Sequence, residues 1–233
     1  MNIKGIVLST KYGDVNGDSK LEKVTLIGYP LDEGGEFISK LDLVIEGENL
    51  KERFRIDEEG YGFKLSLMNT TNNNIDKILI TGNYGGSGGY IIANLYKYKD
   101  NKIKLIFSNK TFGEKYTYEA SFLPDYKAVV ISNETKKKYT IDIKDKDKEY
   151  LDLIYDKDGN ILPYEKPEVS SMNAIYPIQL SFNDYYSFLV YQRIIGVVNA
   201  DTLGWIQTTI DIDDDGNIKT IYQYIMLYGE DIK

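Results

Sequence analysis

Hydrophobic and polar residues alternate with a period of two along most of the chain. The alternation is clearest in residues 25–27, 102–106 and 139–143. Successive side chains of a β-strand point to opposite faces of a sheet, so this pattern predicts strands with one buried face. No segment shows an apolar period of 3.6 residues over more than about three helical turns. The sequence therefore predicts an all-β protein.

The predicted strands recur in groups of four. Val24, Ile78 and Phe188 occupy equivalent apolar positions that are 54 and 110 residues apart, so a further group is expected midway in the second interval. That group is centred on Lys127–Ser132 and ends with a strand at Tyr150–Tyr155. The quasi-repeats span approximately residues 3–57, 62–109, 115–162 and 173–229 of one domain, 1–233. Such units predict a β-propeller-like array, with five blades or an irregular sandwich as alternatives.

One loop of the first repeat has the composition of a cation site. Asp14, Asn16 and Asp18 follow one another at every second position, and Glu22 leads into a predicted strand. Calcium takes six to eight oxygen ligands from carboxylates, amides, backbone carbonyls and water. The alternative is that these side chains only shape the turn through hydrogen bonds to nearby backbone N–H groups.

This loop resembles the calcium loop of FG-GAP or VCBS repeats, which occur in integrin α-subunit propellers and in many bacterial proteins. By this resemblance the ligands are Asp14, Asn16, Asp18, the backbone carbonyl of Lys20, and Glu22. Ser19 stands where that family has glycine, and Glu22 stands where it has aspartate. The resemblance implies a propeller-like fold and a structural calcium ion.

The corresponding loops of two other repeats lack these ligands. The second loop has Asn69, Thr71, Asn73 and Lys77, and the C-terminal loop has Gln179, Ser181, Asn183 and Ser187. A lysine at the last position opposes the binding of a cation. Asp211, Asp213 and Asp215 form a partial match near the C-terminus, but Asp215-Gly216-Asn217 is foremost a hairpin turn.

A ligand surface is predicted around the only tryptophan. Arg193, Asn199, Asp201 and Trp205 lie in or beside a loop that corresponds to the glycine run 85–89 of the second repeat. Tryptophan and arginine are enriched in recognition hot spots. The alternative places Trp205 in the core and makes Asp201 a turn cap. The glycine run itself lacks a phosphate-binding signature and predicts a flexible loop between two strands. The alternative is that its glycines let the backbone approach another blade or a ligand closely.

Composition removes several function classes. The chain has no cysteine and no histidine, which excludes disulfides, thiol nucleophiles and histidine bases. Its net charge of −8 disfavours nucleic acid and anionic membrane surfaces. The N-terminus has no leader-like apolar core, and no apolar run is long enough to span a bilayer, so a cytoplasmic location is expected. If a leader has been trimmed from this sequence, an extracellular location is expected instead.

These observations predict a non-enzymatic, propeller-like binding or scaffold protein for a protein or glycan ligand. One alternative is a carboxylate-based glycan hydrolase that uses Asp201. Another is a self-assembling structural protein that pairs through exposed edge strands. The sequence does not determine the oligomeric state.

Overall fold

The computed structural model describes residues 4–163 and 166–229. Over these residues the chain forms fifteen strands and two short helices, which confirms the prediction of an all-β protein. The predicted start of the first repeat at residue 3 lies outside the described residues.

The strands form four antiparallel sheets, and each sheet takes its strands in chain order. The first sheet consists of β1 (Ile6–Gly13), β2 (Glu22–Pro30), β3 (Ile38–Gly47) and β4 (Leu50–Ile56). The second consists of β5 (Tyr61–Met68), β6 (Lys77–Asn83), β7 (Ile91–Lys99) and β8 (Lys102–Ser108). The third consists of β9 (Tyr118–Leu123), β10 (Lys127–Ser132) and β11 (Lys138–Asp142). The fourth consists of β12 (Glu168–Gln179), β13 (Tyr186–Ile195), β14 (Thr202–Ile212) and β15 (Ile218–Met226).

The third sheet has three strands, so the predicted strand at Tyr150–Tyr155 is wrong. Helix α1 (Asn109–Lys115) precedes this sheet, and helix α2 (Lys148–Leu151) follows it. Asp147 caps α2, because its Oδ1 accepts a hydrogen bond from the backbone N–H of Tyr150 at 2.8 Å. A side-chain cap of this kind provides a hydrogen-bond acceptor for a backbone N–H group in the first turn of a helix, and so favours a helix at this position.

The chain packs into two compact units. The first comprises the described residues up to Asn109 with Tyr176–Phe188 and Ile210–Lys219. The second comprises Lys110–Ile175, Leu189–Thr209 and the described residues from Thr220 onward. In the first unit, alternate apolar residues of the first and second sheets pack into one core cluster. The apolar positions of the alternation are therefore the buried ones in these sheets.

The second unit contains a buried polar network beside its apolar cluster. Gln223 on β15 is 1% exposed. Its Oε1 accepts a hydrogen bond from Thr135 Oγ1 at 2.6 Å, and its Nε2 donates to Thr208 Oγ1 at 3.1 Å. The Tyr118 hydroxyl accepts from the same Nε2 at 3.3 Å and donates to Gln192 Oε1 at 2.8 Å. Because both ends of the amide are paired, burying it carries little cost.

The two helices among the described residues are seven and four residues long. Neither is long and apolar enough to cross a membrane.

Candidate functional site

The acidic loop of residues 14–21 connects β1 to β2. Asp14 holds the loop from its start: Oδ1 accepts a hydrogen bond from Gly17 N at 2.6 Å, and Oδ2 accepts one from Ser19 N at 2.8 Å. Ser19 has a φ of 65°, a left-handed conformation that glycine adopts more easily. A serine in place of the glycine of the FG-GAP pattern therefore strains the backbone at this position.

The next two polar side chains form turns of the same kind. Asn16 Oδ1 accepts a hydrogen bond from Asp18 N, and Asp18 Oδ1 accepts one from Lys20 N, both at 2.8 Å. Side chains that bond to the backbone two residues ahead are typical Asx turns. These side chains thus shape the turn through local hydrogen bonds, and their oxygens lie along one short loop.

Glu22 closes the loop as the first residue of β2 and is only 2% exposed. Its Oε2 accepts a hydrogen bond from Val15 N and its Oε1 accepts one from Asn16 Nδ2, both at 3.0 Å. Burial raises the pKa of Glu22, the bond from Val15 opposes this increase, and the negative charges of Asp18 and Asp14 raise the pKa further. The buried carboxylate thus accepts two hydrogen bonds, and the nearby charges that raise its pKa are those of two aspartates.

The donor set of this loop suits a hard cation. The loop and the start of β2 offer two aspartates, an amide and a glutamate. Asn16, Asp18, Lys20 and Glu22 line part of a cavity of about 220 Å³, and Asp14 lies outside this lining. The ammonium of Lys20 forms an ion pair with Glu48, and both side chains are exposed. Across residues 4–163 and 166–229, no group of three or more acidic side chains lies close enough together to hold a metal ion. In this arrangement the loop oxygens bind N–H groups of the loop itself.

Asp76 is a fourth carboxylate near this loop, and the sequence analysis missed it. Its backbone N–H donates to the carbonyl of Asp14 at 2.7 Å, which joins the second loop to the first. Burial raises the pKa of Asp76, the charge of Asp14 raises it further, and the ammonium of Lys77 opposes both. No sequence signal connects Asp76 with Asp14, because the two belong to different predicted repeats.

The second loop repeats the Asx turns of the first. Asn69 Oδ1 accepts a hydrogen bond from Thr71 N at 3.1 Å, and Asn73 Oδ1 accepts one from Ile75 N at 3.0 Å. Lys77 is the first residue of β6, as Glu22 is the first residue of β2. The two loops therefore share their backbone design and differ in the charge at their last position.

The partial match near the C-terminus is a hairpin turn, as predicted. Asp213 Oδ1 accepts hydrogen bonds from Asp215 N at 2.9 Å and Asn217 N at 2.8 Å. Asp211 instead accepts a hydrogen bond from the Ser187 hydroxyl at 2.6 Å. Asp211 and Asp213 thus accept hydrogen bonds from different parts of the chain.

The residues of the predicted ligand surface fall into two groups. The Arg193 guanidinium donates to Asn199 Oδ1 at 2.6 Å. Asp201 is bound elsewhere, because its Oδ2 accepts from the Tyr150 hydroxyl at 2.5 Å and its Oδ1 from Lys146 Nζ at 3.1 Å. Trp205 lies on β14 and is partly exposed.

The contact between Asp201 and Tyr150 was missed by the sequence analysis. Burial raises the pKa of the Tyr150 hydroxyl, and the hydrogen bond and negative charge of Asp201 raise it further, so Tyr150 remains a donor. Gly196 makes this contact possible, because a side chain there would collide with the Asp201 carboxylate and the Tyr150 hydroxyl. A glycine between two pairs of β-branched apolar residues was the available signal.

A cavity of about 380 Å³ lies beside the start of the glycine run. Its lining includes Phe37, Arg55, Glu58, Glu59 and Tyr84. Tyr84 immediately precedes the glycines and is 46% exposed. Gly85 and Gly86 have φ angles of 84° and 81°, a backbone conformation that other residues adopt with strain.

Comparison with known proteins gives two findings. Residues 116–226, from just before β9 to the end of β15, match a family model described as the YybI C-terminal domain. Over 210 residues the chain is 31% identical to a protein of Bacillus subtilis strain 168 called uncharacterized protein YybI. That match covers 89% of this chain and 79% of the Bacillus protein.

The raised pKa of Glu22 predicts a pH dependence of stability. Between the pKa of 4.5 for the free side chain and the higher value in the fold, folded Glu22 binds more protons than unfolded Glu22. Its contribution to stability is therefore fully present below pH 4.5 and is lost as the pH rises through the folded pKa. Thermal unfolding in metal-free buffer between about pH 4.5 and about pH 7, where a raised carboxyl group titrates, should show a steeper fall of the midpoint in wild type than in Glu22→Gln. If the unfolding midpoints of the two proteins fell in parallel with pH, the pKa of Glu22 would not be raised in the folded protein.

Proposed function

This chain belongs to the YybI family, and we propose that it is a non-enzymatic, propeller-like binding or scaffold protein with one structural calcium loop. The propeller-like arrangement is supported by four successive sheets, each with its strands in chain order, as in propeller blades. The resemblance of the first loop to FG-GAP or VCBS repeats supports the same arrangement.

Calcium would be held by the five groups that the resemblance implies. These are Asp14, Asn16, Asp18, the backbone carbonyl of Lys20, and Glu22. The ion would supply the positive charge that the carboxylates of this loop lack. Glu22 and Asp18 line one cavity, so an ion there is close to both. Asp14 and Asn16 also hold the loop in its turns, because they accept hydrogen bonds from the backbone N–H groups of Gly17 and Asp18.

The observation that carries the binding function is the cavity beside Tyr84. Its volume of about 380 Å³ falls within the usual range of ligand pockets. Its wall combines two aromatic rings, Phe37 and Tyr84, with charged groups of both signs. Arg55 is anchored by an ion pair of 2.9 Å to Asp42, and Glu58 accepts a hydrogen bond of 2.8 Å from Asn94. A protein or glycan ligand would therefore meet a pocket whose polar groups are already oriented.

The contacts of Asp201 favour binding over glycan hydrolysis. A glycosidase needs one carboxyl group that gives up a proton and one that attacks or activates water. Asp201 is only 11% exposed at its side chain, and both of its oxygens accept hydrogen bonds, from Tyr150 and Lys146. These two donors hold both carboxylate oxygens in fixed positions inside the fold. Asp201 is better explained as the anchor of the loop that follows β13.

Calcium should raise the thermal stability of metal-stripped protein. With millimolar calcium at about 100 times the dissociation constant, the unfolding midpoint should rise by about 5 to 10 °C in wild type. The rise should disappear in Asp18→Ala, which removes a ligand, and should persist in Glu33→Ala, which removes an exposed acidic side chain from another loop. No calcium response in wild type would contradict the calcium loop.

Binding and hydrolysis can be distinguished on one set of glycans. We expect a glycan array to retain the protein without release of new reducing ends. Tyr84→Ala should weaken retention about tenfold or more, because an aromatic wall of the cavity is lost. Tyr12→Ala removes an exposed tyrosine outside the cavity and should leave retention unchanged. Release of reducing ends that is lost in Asp201→Asn would instead establish a hydrolase.

A further inference from the structure

The first and second loops bury opposite charges at the same structural position. Glu22 opens the second strand of the first sheet, and Lys77 opens the second strand of the second sheet. Their exposures are 2% and 1%. Both follow a loop that is shaped by Asx turns, so the comparison is between like positions. A buried charge at such a position must be balanced or it destabilises the fold.

The ammonium of Lys77 is balanced within the chain. Its Nζ lies 2.8 Å from Asp214 Oδ1 and donates a hydrogen bond of 3.0 Å to the backbone carbonyl of Ile75. Asp214 belongs to the turn between β14 and β15, within the same compact unit as Lys77. The pairing therefore connects two segments that are distant in sequence.

The polar residues of the second loop also contact Asp214. Asn73 Nδ2 donates to Asp214 Oδ2 at 2.8 Å, and the Thr71 hydroxyl donates to Oδ1 at 3.5 Å. Lys97 Nζ adds a hydrogen bond of 3.3 Å to the backbone carbonyl of Asp214. Asn73 and Thr71 occupy positions that correspond to cation ligands in the first loop. In the second loop they instead surround an ion pair.

The electrostatics of Asp214 agree with this geometry. Partial burial raises its pKa, but the hydrogen bond from Lys77 and the charges of Lys77 and Lys97 together outweigh burial, so the pKa is lowered. Asp214 is therefore ionised over the whole neutral range. The acidic loop before Glu22 has the opposite balance, because Asp14 and Asp18 add negative charge to a buried carboxylate.

We propose that Lys77 is the built-in cation of the second loop. Its ammonium would take the place that the proposed calcium ion would take in the first loop, and Asp214 is its counter-charge. The comparison with a bound ion rests on the proposed function. The claim that the ion pair between Lys77 and Asp214 stabilises the fold does not rest on it. A direct consequence is that Lys77→Glu should convert the second loop into a calcium site. The new carboxylate would join Asp214 and the Ile75 carbonyl, which gives the oxygen ligands that calcium prefers.

The test is thermal unfolding of metal-stripped variants in an Asp18→Ala background. In this background the first loop is not expected to contribute to any calcium response. Without calcium, Lys77→Met should lower the midpoint by about 5 to 10 °C, because Asp214 loses its buried partner. Lys77→Glu should lower it further through repulsion. Millimolar calcium should then raise the midpoint of Lys77→Glu by about 5 °C or more. Lys77→Met and the exposed control Lys102→Glu should not respond to calcium.

Calorimetric titration of the Lys77→Glu variant in the same background should give one bound calcium per chain. A midpoint for Lys77→Met equal to that of the Asp18→Ala parent would overturn the proposal. The same holds if Lys77→Glu responds to calcium no more than Lys102→Glu does.

A third variant covers the case in which substitutions of Lys77 prevent folding. Asp214 is 34% exposed, so Asp214→Asn leaves the core intact while it removes the counter-charge. It should lower the midpoint in the otherwise unchanged protein, and an unchanged midpoint would overturn the proposal. The calcium response of wild type and its loss in Asp18→Ala report on the first loop alone. A failure of the proposed function is therefore distinguishable from a failure of the pairing between Lys77 and Asp214.

Discussion

A charge that is buried at the start of a strand has to meet an opposite charge or several hydrogen-bond partners, and the first two sheets depend on this requirement. In the second sheet Lys77 meets Asp214, and the loop before it folds around the pair. In the first sheet Glu22 meets two N–H groups but also the repulsion of neighbouring aspartates. The same loop design therefore ends in a buried lysine that is paired with a carboxylate in one sheet, and in a buried glutamate beside two aspartates in the other.

Other acidic side chains of the chain are balanced internally. Asp42 on β3 pairs with Arg53 at 2.8 Å and with Arg55 at 2.9 Å. Asp201 is held by Tyr150 and Lys146. Carboxylates with such partners are held in fixed positions by neighbouring side chains.

Periodicity predicted the strands because alternation reports directly which side chains are buried. It failed at Tyr150–Tyr155, where the apolar and polar order is compatible with a strand but the Asp147 cap favours a helical turn. The acidic loop was found because its polar side chains are close together in sequence. The partners of Lys77 and Asp201 could not be found in this way, because each contact joins segments that only the folded chain brings together.

A crystal structure of wild-type protein grown with calcium, with anomalous diffraction data, would test both loops in one experiment. We expect an anomalous peak in the first loop, within ligand distance of Asp14, Asp18 and Glu22. The second loop should show no peak and should retain the contact between Lys77 and Asp214. A first loop without a peak would contradict the claim that it binds a cation. An ion that displaces the Lys77 ammonium from Asp214 would contradict the claim that the second loop contains its own cation.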